Sequence, residues 1–229
     1  MRYLNEKDLR DVGLNWNDTI DAIEDAVVCL DMKDFAQPVK PYLRYRNPAN
    51  RIIAMPAFVG GKVNLSGIKW IASFPGNIDN AIPRAHAVVI LNKAETGEPL
   101  SIINTALLSI IRTSSVSGLM IRYFLKARPM EKINLAIIGW GPIGRHHFQM
   151  ATSVMGGKLD KIFLYDLREI DKDEIDSPYK DKVVVVDSWQ EAYTDTDIFI
   201  TCTVSKAPYV DLPPKTGSLQ LNCSLRDYK

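Results

Sequence analysis

The sequence predicts an α/β protein with two domains, and three observations lead to this prediction. Short β-type runs separated by turn residues fill much of the first half, whereas continuous apolar runs alternate with amphipathic segments from Ile133 onward. A long helical pattern lies between these regions and ends at the helix-breaking stretch RPMEK. We therefore expect an α+β domain with a mixed sheet at residues 1–128, followed by a parallel-sheet domain at residues 129–229.

The first domain is expected to begin with an amphipathic helix in NWNDTIDAIEDAVVCLDMKDF, which has a capping-type start and apolar residues at helical spacing. Four β-type stretches follow, separated by Asn-Pro, Gly-Gly and Pro-Gly turn signals: PYLRYR, RIIAMPAFV, SGIKWIASF and HAVVILNKAETGEPLSII. They predict an antiparallel or mixed meander. The segment NTALLSIIRTSSVSGLMIRYFLKA then predicts a long helix.

The second domain contains five apolar runs, which are INLAIIGW, KIFLYD, KVVVVD, DIFITCTV and SLQLNCS. Runs of this kind, with amphipathic segments between some of them, are typical of a parallel sheet that is covered on both faces. The charged connection at residues 167–182 is short for a full crossover helix, so we expect it to be irregular.

Composition and charge exclude several classes of partner. With 28 basic and 27 acidic residues among 229, the formal net charge of +1 provides no electrostatic footprint for nucleic acid or an anionic membrane. Three widely spaced cysteines without metal-ligand spacing argue against a disulfide framework or a zinc site, and we interpret them as buried thiols. Without an apolar signal segment or an apolar run near the ~18 residues that cross a bilayer, we expect a cytoplasmic protein.

The stretch IIGWGPIG carries the clearest functional motif. Gly139, Gly141 and Gly144 directly follow an apolar strand and open a helical segment, and Asp166 closes the next strand 22 residues after the last glycine. This context predicts a Rossmann dinucleotide site, with the pyrophosphate at the helix N-terminus and Asp166 on the adenosine ribose. The carboxylate favours NAD over NADP, although the nearby Arg168 keeps NADP open.

Two other features of this domain are less specific. His146 and His147 lie on the helix that follows the glycines, and we interpret them as surface or packing residues. Thr203 to Ser205 end the fourth strand, at the edge where such sheets bind ligands, but an ordinary strand end fits this stretch equally well.

The first domain contains candidate substrate-binding cations. Lys69 lies in an apolar strand, and alternation would place Arg44 on the same face as Tyr42 and Arg46. Arg112 interrupts an otherwise apolar helix. Internal salt bridges or snorkelling side chains are the alternative interpretation. Together with a nicotinamide module, the cations suggest a substrate that carries one or more carboxylates.

Several segments together resemble the ornithine cyclodeaminase and mu-crystallin superfamily. They are QPVKPYLRY, RIIAMPAFVGG, SGIKWIASFPGN, IPRAHAVVILN, TGEPLSI, LLSIIRTSSVSG, IIGWGPIG and DIFITCTVSKAPYV. Within it, the sequence is most similar to the 2,3-diaminopropionate branch, the N-(2-amino-2-carboxyethyl)-L-glutamate dehydrogenases. The resemblance implies a homodimer whose first domain supplies the dimer contacts and the substrate pocket, followed by an NAD-binding Rossmann domain.

The resemblance also implies roles for individual residues. The substrate carboxylates would be held by Arg44, Lys69 and Arg112. The cofactor would be held by Arg112, Thr113, Gly139, Gly141, Pro142, Ile143, Gly144, Asp166, Thr203 and Val204.

The implied reaction is NAD-dependent cleavage of N-(2-amino-2-carboxyethyl)-L-glutamate to L-2,3-diaminopropionate and 2-oxoglutarate, for siderophore or peptide-antibiotic synthesis. Lys69 would be catalytic. The family has a catalytic aspartate after the fifth strand, and in this chain the nearest carboxylate is Asp227, a few positions away in LNCSLRDYK, so Asp227 is a candidate acid/base. Alternatives are cyclodeaminase-type deamination and a non-catalytic NAD(P)-binding protein like mu-crystallin. Family members continue beyond the equivalent of Lys229, so we expect a Rossmann domain that is truncated at its C-terminal end.

Overall fold

The computed structural model describes residues 1–229 and divides into two compact units, Met1–Ser109 and Ile110–Lys229. The division falls in the first turn of the long helix Leu107–Ala127 and not after it, so most of that helix belongs with the second unit. The assignment of residues 1–128 to substrate binding and dimerisation and of residues 129–229 to NAD binding stays a prediction.

The first unit consists of two helices and a mixed sheet. Its elements are β1 (Arg2–Asn5), α1 (Glu6–Val12), α2 (Trp16–Asp31), β2 (Phe35–Ala36), β3 (Tyr42–Leu43), β4 (Arg51–Val59), β5 (Leu65–Ser73), β6 (Ala85–Lys93) and β7 (Pro99–Asn104). The sheet order is β1-β7-β6-β5-β4-β2, with β3 also paired to β4. Strands β4 to β7 form the predicted antiparallel meander, and β1 runs parallel to β7, so the sheet is mixed as expected.

The helix α2 starts where the sequence indicates. The Asn15 side chain accepts a hydrogen bond from the Asn17 backbone N–H, which satisfies one of the free donors at the helix start. Trp16, Ile20 and Cys29 are buried.

The strand β1 and the helix α1 were not anticipated from the sequence. A capping box explains the start of α1: Asn5 caps the helix, and the Asp8 carboxylate accepts from the Asn5 backbone N–H at 2.7 Å.

The second unit is a parallel Rossmann-type sheet with helices. The helix α3 (Leu107–Ala127) leads into it, and the elements that follow are β8 (Ile133–Ile138), α4 (Pro142–Met155), β9 (Leu159–Tyr165), β10 (Val183–Val185), α5 (Trp189–Thr194), β11 (Ile198–Thr201) and β12 (Leu219–Asn222). All strand pairs are parallel in the order β10-β9-β8-β11-β12, as the five apolar runs predict. Only short 3-10 turns occupy the β9–β10 connection, as expected from its charge and length.

The strand order positions the functional edge of this unit. The chain crosses from one side of β8 to the other, so β8 and β11 are neighbours whose following loops leave in opposite directions. A crevice outside the carboxyl ends of two such strands is where doubly wound sheets bind ligands. No helix of the chain is long and apolar enough to span a bilayer.

Candidate functional site

The glycine turn between β8 and α4 has the backbone that the motif predicts. Gly139 has φ +97°, and a Cβ there would lie 2.9 Å from the Cys202 carbonyl carbon. A Cβ at Gly144 would lie 1.9 Å from the Gly139 carbonyl oxygen. A Cβ at Gly141 would meet nothing within 4 Å. Two glycines are therefore required by the fold itself, whereas the space beside Gly141 is open to a ligand.

The helix α4 begins at this turn with its first N–H groups available. Gly141 is the N-cap and provides no side-chain cap, and Pro142 occupies the first helical turn, where its missing N–H has no cost. Uncapped N–H groups and the helix dipole favour an anion at this end. The Ile143 and Gly144 amides thus lie where the predicted pyrophosphate site requires donors.

Asp166 directly follows β9 and adjoins the turn. Its carboxylate accepts from the Trp140 backbone N–H at 2.7 Å and from the Arg168 backbone N–H at 2.9 Å. The Asp166 side chain is only 14% exposed, and the Trp140 ring packs edge-on against Phe148 at 5.6 Å. Asp166 therefore fixes the glycine turn, and its Oδ2, which accepts only from Trp140, keeps a lone pair for a ligand hydroxyl.

Thr203 and Val204 follow β11 on the opposite side of the turn. The Thr203 backbone nitrogen would lie 3.1 Å from a Cβ on Gly139, which shows how closely the two loops approach. The Thr203 hydroxyl donates to the Asp227 carboxylate at 2.5 Å, and Val204 is 59% exposed.

Asp227 has a structural role. The residue is fully buried, and its carboxylate accepts from the Thr203 and Ser224 hydroxyls. Its backbone carbonyl accepts from the Tyr209 and Val210 N–H groups, both at 2.8 Å. Burial together with this negative charge raises the pKa of the Tyr209 hydroxyl. A carboxylate so enclosed joins the loops after β11 and β12, and it is poorly placed to exchange protons with a substrate.

Arg112 and Thr113 lie on α3 and belong to the second unit. Thr113 is half-buried and Arg112 is exposed overall. Protein atoms nevertheless surround the Arg112 guanidinium, and this desolvation lowers its pKa, whereas the nearby Cys223 sulfur raises it. Because arginine stays protonated in proteins, Arg112 provides a fixed positive charge near Cys223.

Lys69 lies in the middle of β5, between Met55 on β4 and Val89 on β6. The side chain is half-buried, and its amine lies 3.4 Å from the Ser109 hydroxyl oxygen. An ammonium among apolar neighbours is costly unless polar groups meet it, so its position requires hydroxyls or an anion around the amine.

Arg44 follows the short strand β3 and is exposed. Its guanidinium donates to the Pro48 carbonyl at 2.9 Å and lies 5.4 Å from the centre of the Tyr42 ring. The predicted alternation through Arg46 is wrong, because β3 ends at Leu43 and Arg46 adopts φ +55°.

A buried histidine between two cysteines is the feature that sequence reasoning missed. His147 is fully buried, and its ring contacts Cys202 and Cys223. His147 is a packing residue, as one of the two interpretations of it predicted, but that interpretation did not include its polar contacts. Cys29 is a buried thiol as predicted, whereas Cys202 and Cys223 are only partly buried. A signal was present: DIFITC and SLQLNC each place a cysteine directly after a strand.

Comparison with known proteins identifies the family. The model of the ornithine cyclodeaminase/mu-crystallin family matches residues 8–212. The chain belongs to this family. Its members include an N-((2S)-2-amino-2-carboxyethyl)-L-glutamate dehydrogenase of Staphylococcus aureus, 33% identical over 99% of this chain and 70% of that protein.

Two solved structures of family enzymes share the fold. An archaeal alanine dehydrogenase dimer with bound NAD superposes with a TM-score of 0.77 and 25% identity, over 92% of this chain and 62% of that one. The Δ1-pyrroline-2-carboxylate reductase of Thermococcus litoralis, in complex with NADH and L-proline, gives a TM-score of 0.78 and 22% identity, over 92% and 64%. The chain thus spans roughly two thirds of the length of these family members.

Proposed function

We propose that this chain binds NAD at the glycine turn and acts as an NAD-dependent amino-acid dehydrogenase. The observation that carries the proposal is the turn itself: Gly139 and Gly144 are required by backbone contacts, while the space at Gly141 is open beside the start of α4. The bound NAD of the archaeal alanine dehydrogenase supports the same cofactor here.

The environment of Asp166 supports NAD over NADP. A carboxylate at the end of β9 accepts from ribose hydroxyls and repels a 2′-phosphate. Arg168 is 75% exposed, and its Nε lies 3.4 Å from the Asp166 carboxylate, so part of its charge is directed at that group. Comparing the affinities for NAD and NADP by calorimetry tests this preference, and tighter binding of NADP would contradict it.

We infer the substrate from the S. aureus dehydrogenase, because the similarity covers nearly the whole chain. The proposed reaction converts N-(2-amino-2-carboxyethyl)-L-glutamate, NAD and water to L-2,3-diaminopropionate, 2-oxoglutarate, NADH and a proton. In this proposal the products serve siderophore or peptide-antibiotic synthesis.

The chain's own cations would bind and orient this substrate. Lys69 would pair with a carboxylate and favour the deprotonated amine through its charge, and Arg44 and Arg112 would hold the remaining carboxylates. When bound, NAD would accept a hydride from the glutamyl Cα. Fixing that carbon in one orientation is the main contribution expected of the protein. We do not assign proton transfer to Asp227, because its carboxylate is buried against Thr203 and Ser224.

The direct test is to incubate the protein with NAD and the aminocarboxyethyl-glutamate. NADH is followed by absorbance, and 2-oxoglutarate and 2,3-diaminopropionate by mass spectrometry. Equal amounts of all three products are expected. No turnover by a version extended to the full length of the relatives would refute the proposed substrate.

Cofactor balance separates the alternatives. A cyclodeaminase would release ammonia from ornithine without net NADH, and a mu-crystallin-like binding protein would bind NAD(P) and turn over no amino acid. A reductase is a further alternative, because the rat ketimine reductase mu-crystallin is 24% identical over 75% of this chain. Ketimine substrates with NADH therefore belong in the same assay.

We also propose a homodimer formed through the first unit. The exposed apolar residues of α2 support it, since Val27 and Val28 are each 50% exposed and Leu30 is 54% exposed. Apolar side chains clustered on one exposed helix are typical of an interface. The archaeal relative is a dimer. Light scattering should give twice the chain mass, and Val28→Glu should reduce it to one chain.

A further inference from the structure

Cys202 and Cys223 occupy matching positions at the ends of neighbouring strands. The strands β11 and β12 pair in parallel with Thr201 opposite Asn222, and each cysteine is the next residue. The Cys223 backbone N–H continues the ladder to the Thr201 carbonyl at 3.1 Å. Neighbouring strands lie about 4.8 Å apart, which is within the Cα separation that a disulfide spans.

The two sulfurs also point to the same place. The sulfurs of both cysteines and a ring nitrogen of His147 all lie within 4.8 Å of one another. Both cysteines are partly exposed, whereas Cys29 is buried in the other unit. The sulfurs of the thiol pair, meaning Cys202 and Cys223, are therefore close neighbours at the ends of paired strands.

The contacts of His147 distinguish the two thiols. The His147 Nδ1 lies 2.8 Å from the Ile143 carbonyl, and because a carbonyl only accepts, this nitrogen carries a proton. Nε2 lies 3.4 Å from the Cys223 sulfur and 2.9 Å from the Ser117 hydroxyl. The Ser117 hydroxyl is also 3.6 Å from the Cys223 sulfur. The Ser117 hydroxyl can therefore donate a hydrogen bond to a Cys223 thiolate, and Nε2 can do so when the ring carries a proton on both nitrogens.

The acidities follow from this arrangement. A hydrogen bond from the Cys202 thiol lowers the pKa of Cys223, and hydrogen bonds from His147 and Ser117 lower it further. The same hydrogen bond to Cys223 raises the pKa of Cys202, and burial adds to the effect. One member of the pair is a nucleophile and the other holds a proton, as in dithiols that react stepwise.

We propose that the thiol pair is a peroxide-oxidisable site, in which Cys223 reacts first and Cys202 closes a disulfide with it. The Cys223 thiolate attacks one oxygen of hydrogen peroxide, the O–O bond breaks, and the leaving hydroxide takes a proton to become water. Cys223 is then a sulfenic acid. Cys202 loses its proton and attacks the sulfenic sulfur, the S–O bond breaks, and a second water forms. The two thiols lose two electrons, and the peroxide gains them.

Zinc is the competing occupant of the same three residues. It would bind Nε2 of His147 and two thiolates, but structural zinc sites use four protein ligands, and only these three side chains meet here. Zinc would also have to displace the Ser117 hydroxyl from Nε2 and the proton from Cys202. Zinc binding is therefore an outcome that would overturn the proposal.

The test is to treat the reduced, chelator-washed protein with one equivalent of hydrogen peroxide and analyse it by intact mass and non-reducing peptide mapping. We expect the mass to fall by two hydrogen atoms and a single Cys202–Cys223 peptide pair to appear. Cys202→Ser should stop at the sulfenic acid, which dimedone labels on Cys223. Cys29→Ser is the matched control and should behave as the wild type does.

Several results would overturn the proposal. Cys223→Ser should react at least tenfold more slowly than wild type, and an equal rate would remove Cys223 as the attacking thiol. A disulfide that contains Cys29, or sulfinic acid formed in place of a disulfide, would show that the thiol pair does not close. One equivalent of zinc that is retained by the wild type but lost in both serine variants would reassign the cluster to a metal.

Discussion

Replacing Gly144 by alanine should destabilise the second unit through one backbone contact. The new Cβ would lie 1.9 Å from the Gly139 carbonyl oxygen, whereas real Cβ atoms essentially never come within 3.0 Å of such an atom. The start of α4 must therefore move away from the glycine turn by about 1 Å. Overpacking of this kind costs about 1–3 kcal/mol, and two backbone segments yield less readily than side chains, so the upper end applies.

A smaller effect of the same substitution acts in the opposite direction. Alanine is favoured over glycine inside a helix by roughly 0.5–1 kcal/mol, and Gly144 lies in the first turn of α4. We therefore expect a net loss of about 2 kcal/mol in the free energy of unfolding. For a unit of this size that corresponds to a Tm lower by about 4–16 °C.

Gly141→Ala is the matched control. Its Cβ would meet nothing within 4 Å, and Gly141 has φ −79°, which any residue can adopt. Its stability should remain within about 0.5 kcal/mol of wild type, while its NAD affinity should fall because the methyl group occupies the space proposed for the pyrophosphate.

Urea unfolding followed by circular dichroism measures the stabilities, and calorimetry measures NAD binding. A Gly144→Ala protein as stable as wild type would refute the close approach of α4 to the turn. A Gly141→Ala protein that binds NAD normally would refute the proposed position of the pyrophosphate, whatever its stability.

Four further predictions concern individual side chains. Asp166→Ala leaves the Trp140 N–H of the turn without its acceptor, so denaturation should show a free energy of unfolding lower by about 1–3 kcal/mol. Calorimetry should show an NAD affinity at least tenfold lower. If neither value changed, the proposed role of Asp166 would be contradicted. Lys69→Ala should abolish turnover while the circular dichroism spectrum and NAD affinity stay the same, and an active variant would exclude Lys69 from the mechanism. Asp227→Ala removes the acceptor of two partly buried hydroxyls, those of Thr203 and Ser224, and should cost about 2 kcal/mol in urea unfolding. A variant that is stable but inactive would instead support a catalytic role for Asp227. The pKa of Cys223 is lowered, so its thiolate persists as the pH falls below the usual range of a thiol. Iodoacetamide should therefore label Cys223 at pH 6 and leave Cys29 unlabelled, as measured by mass spectrometry. Labelling of Cys223 that begins only above pH 8 would show that its pKa is not lowered.

Much of the fold could be predicted because its signals are local. Continuous apolar runs indicated all five parallel strands, and turn residues separated the strands of the meander. The elements that were missed have weak local signals. The strand β1 has four residues and the helix α1 has seven, and each depends on a partner far along the chain or on a cap at Asn5. The boundary between compact units was also beyond sequence reasoning, because the helix α3 continues across it.

The candidate site divides in the same way. The roles of Gly139 and Gly144 could be inferred because backbone conformation and close approach impose glycine on the sequence itself. The fate of Asp227 could not be inferred, since a carboxylate near a strand end looks the same in sequence whether it faces a substrate or is enclosed by hydroxyls.

The sequence by itself indicated the family, the glycine turn and the five parallel strands, because each follows from short stretches whose residue types are constrained locally. Only the tertiary structure decided that Asp166 also fixes the turn, that Asp227 is buried, and that His147 lies between Cys202 and Cys223. The partners in each of these contacts are separated along the chain. The pairing of β8 with β9 brings Asp166 to the glycine turn, and the pairing of β8, β11 and β12 brings together the loops that hold the other residues. Proximity across neighbouring strands is set by the sheet as a whole, so no local pattern encodes it.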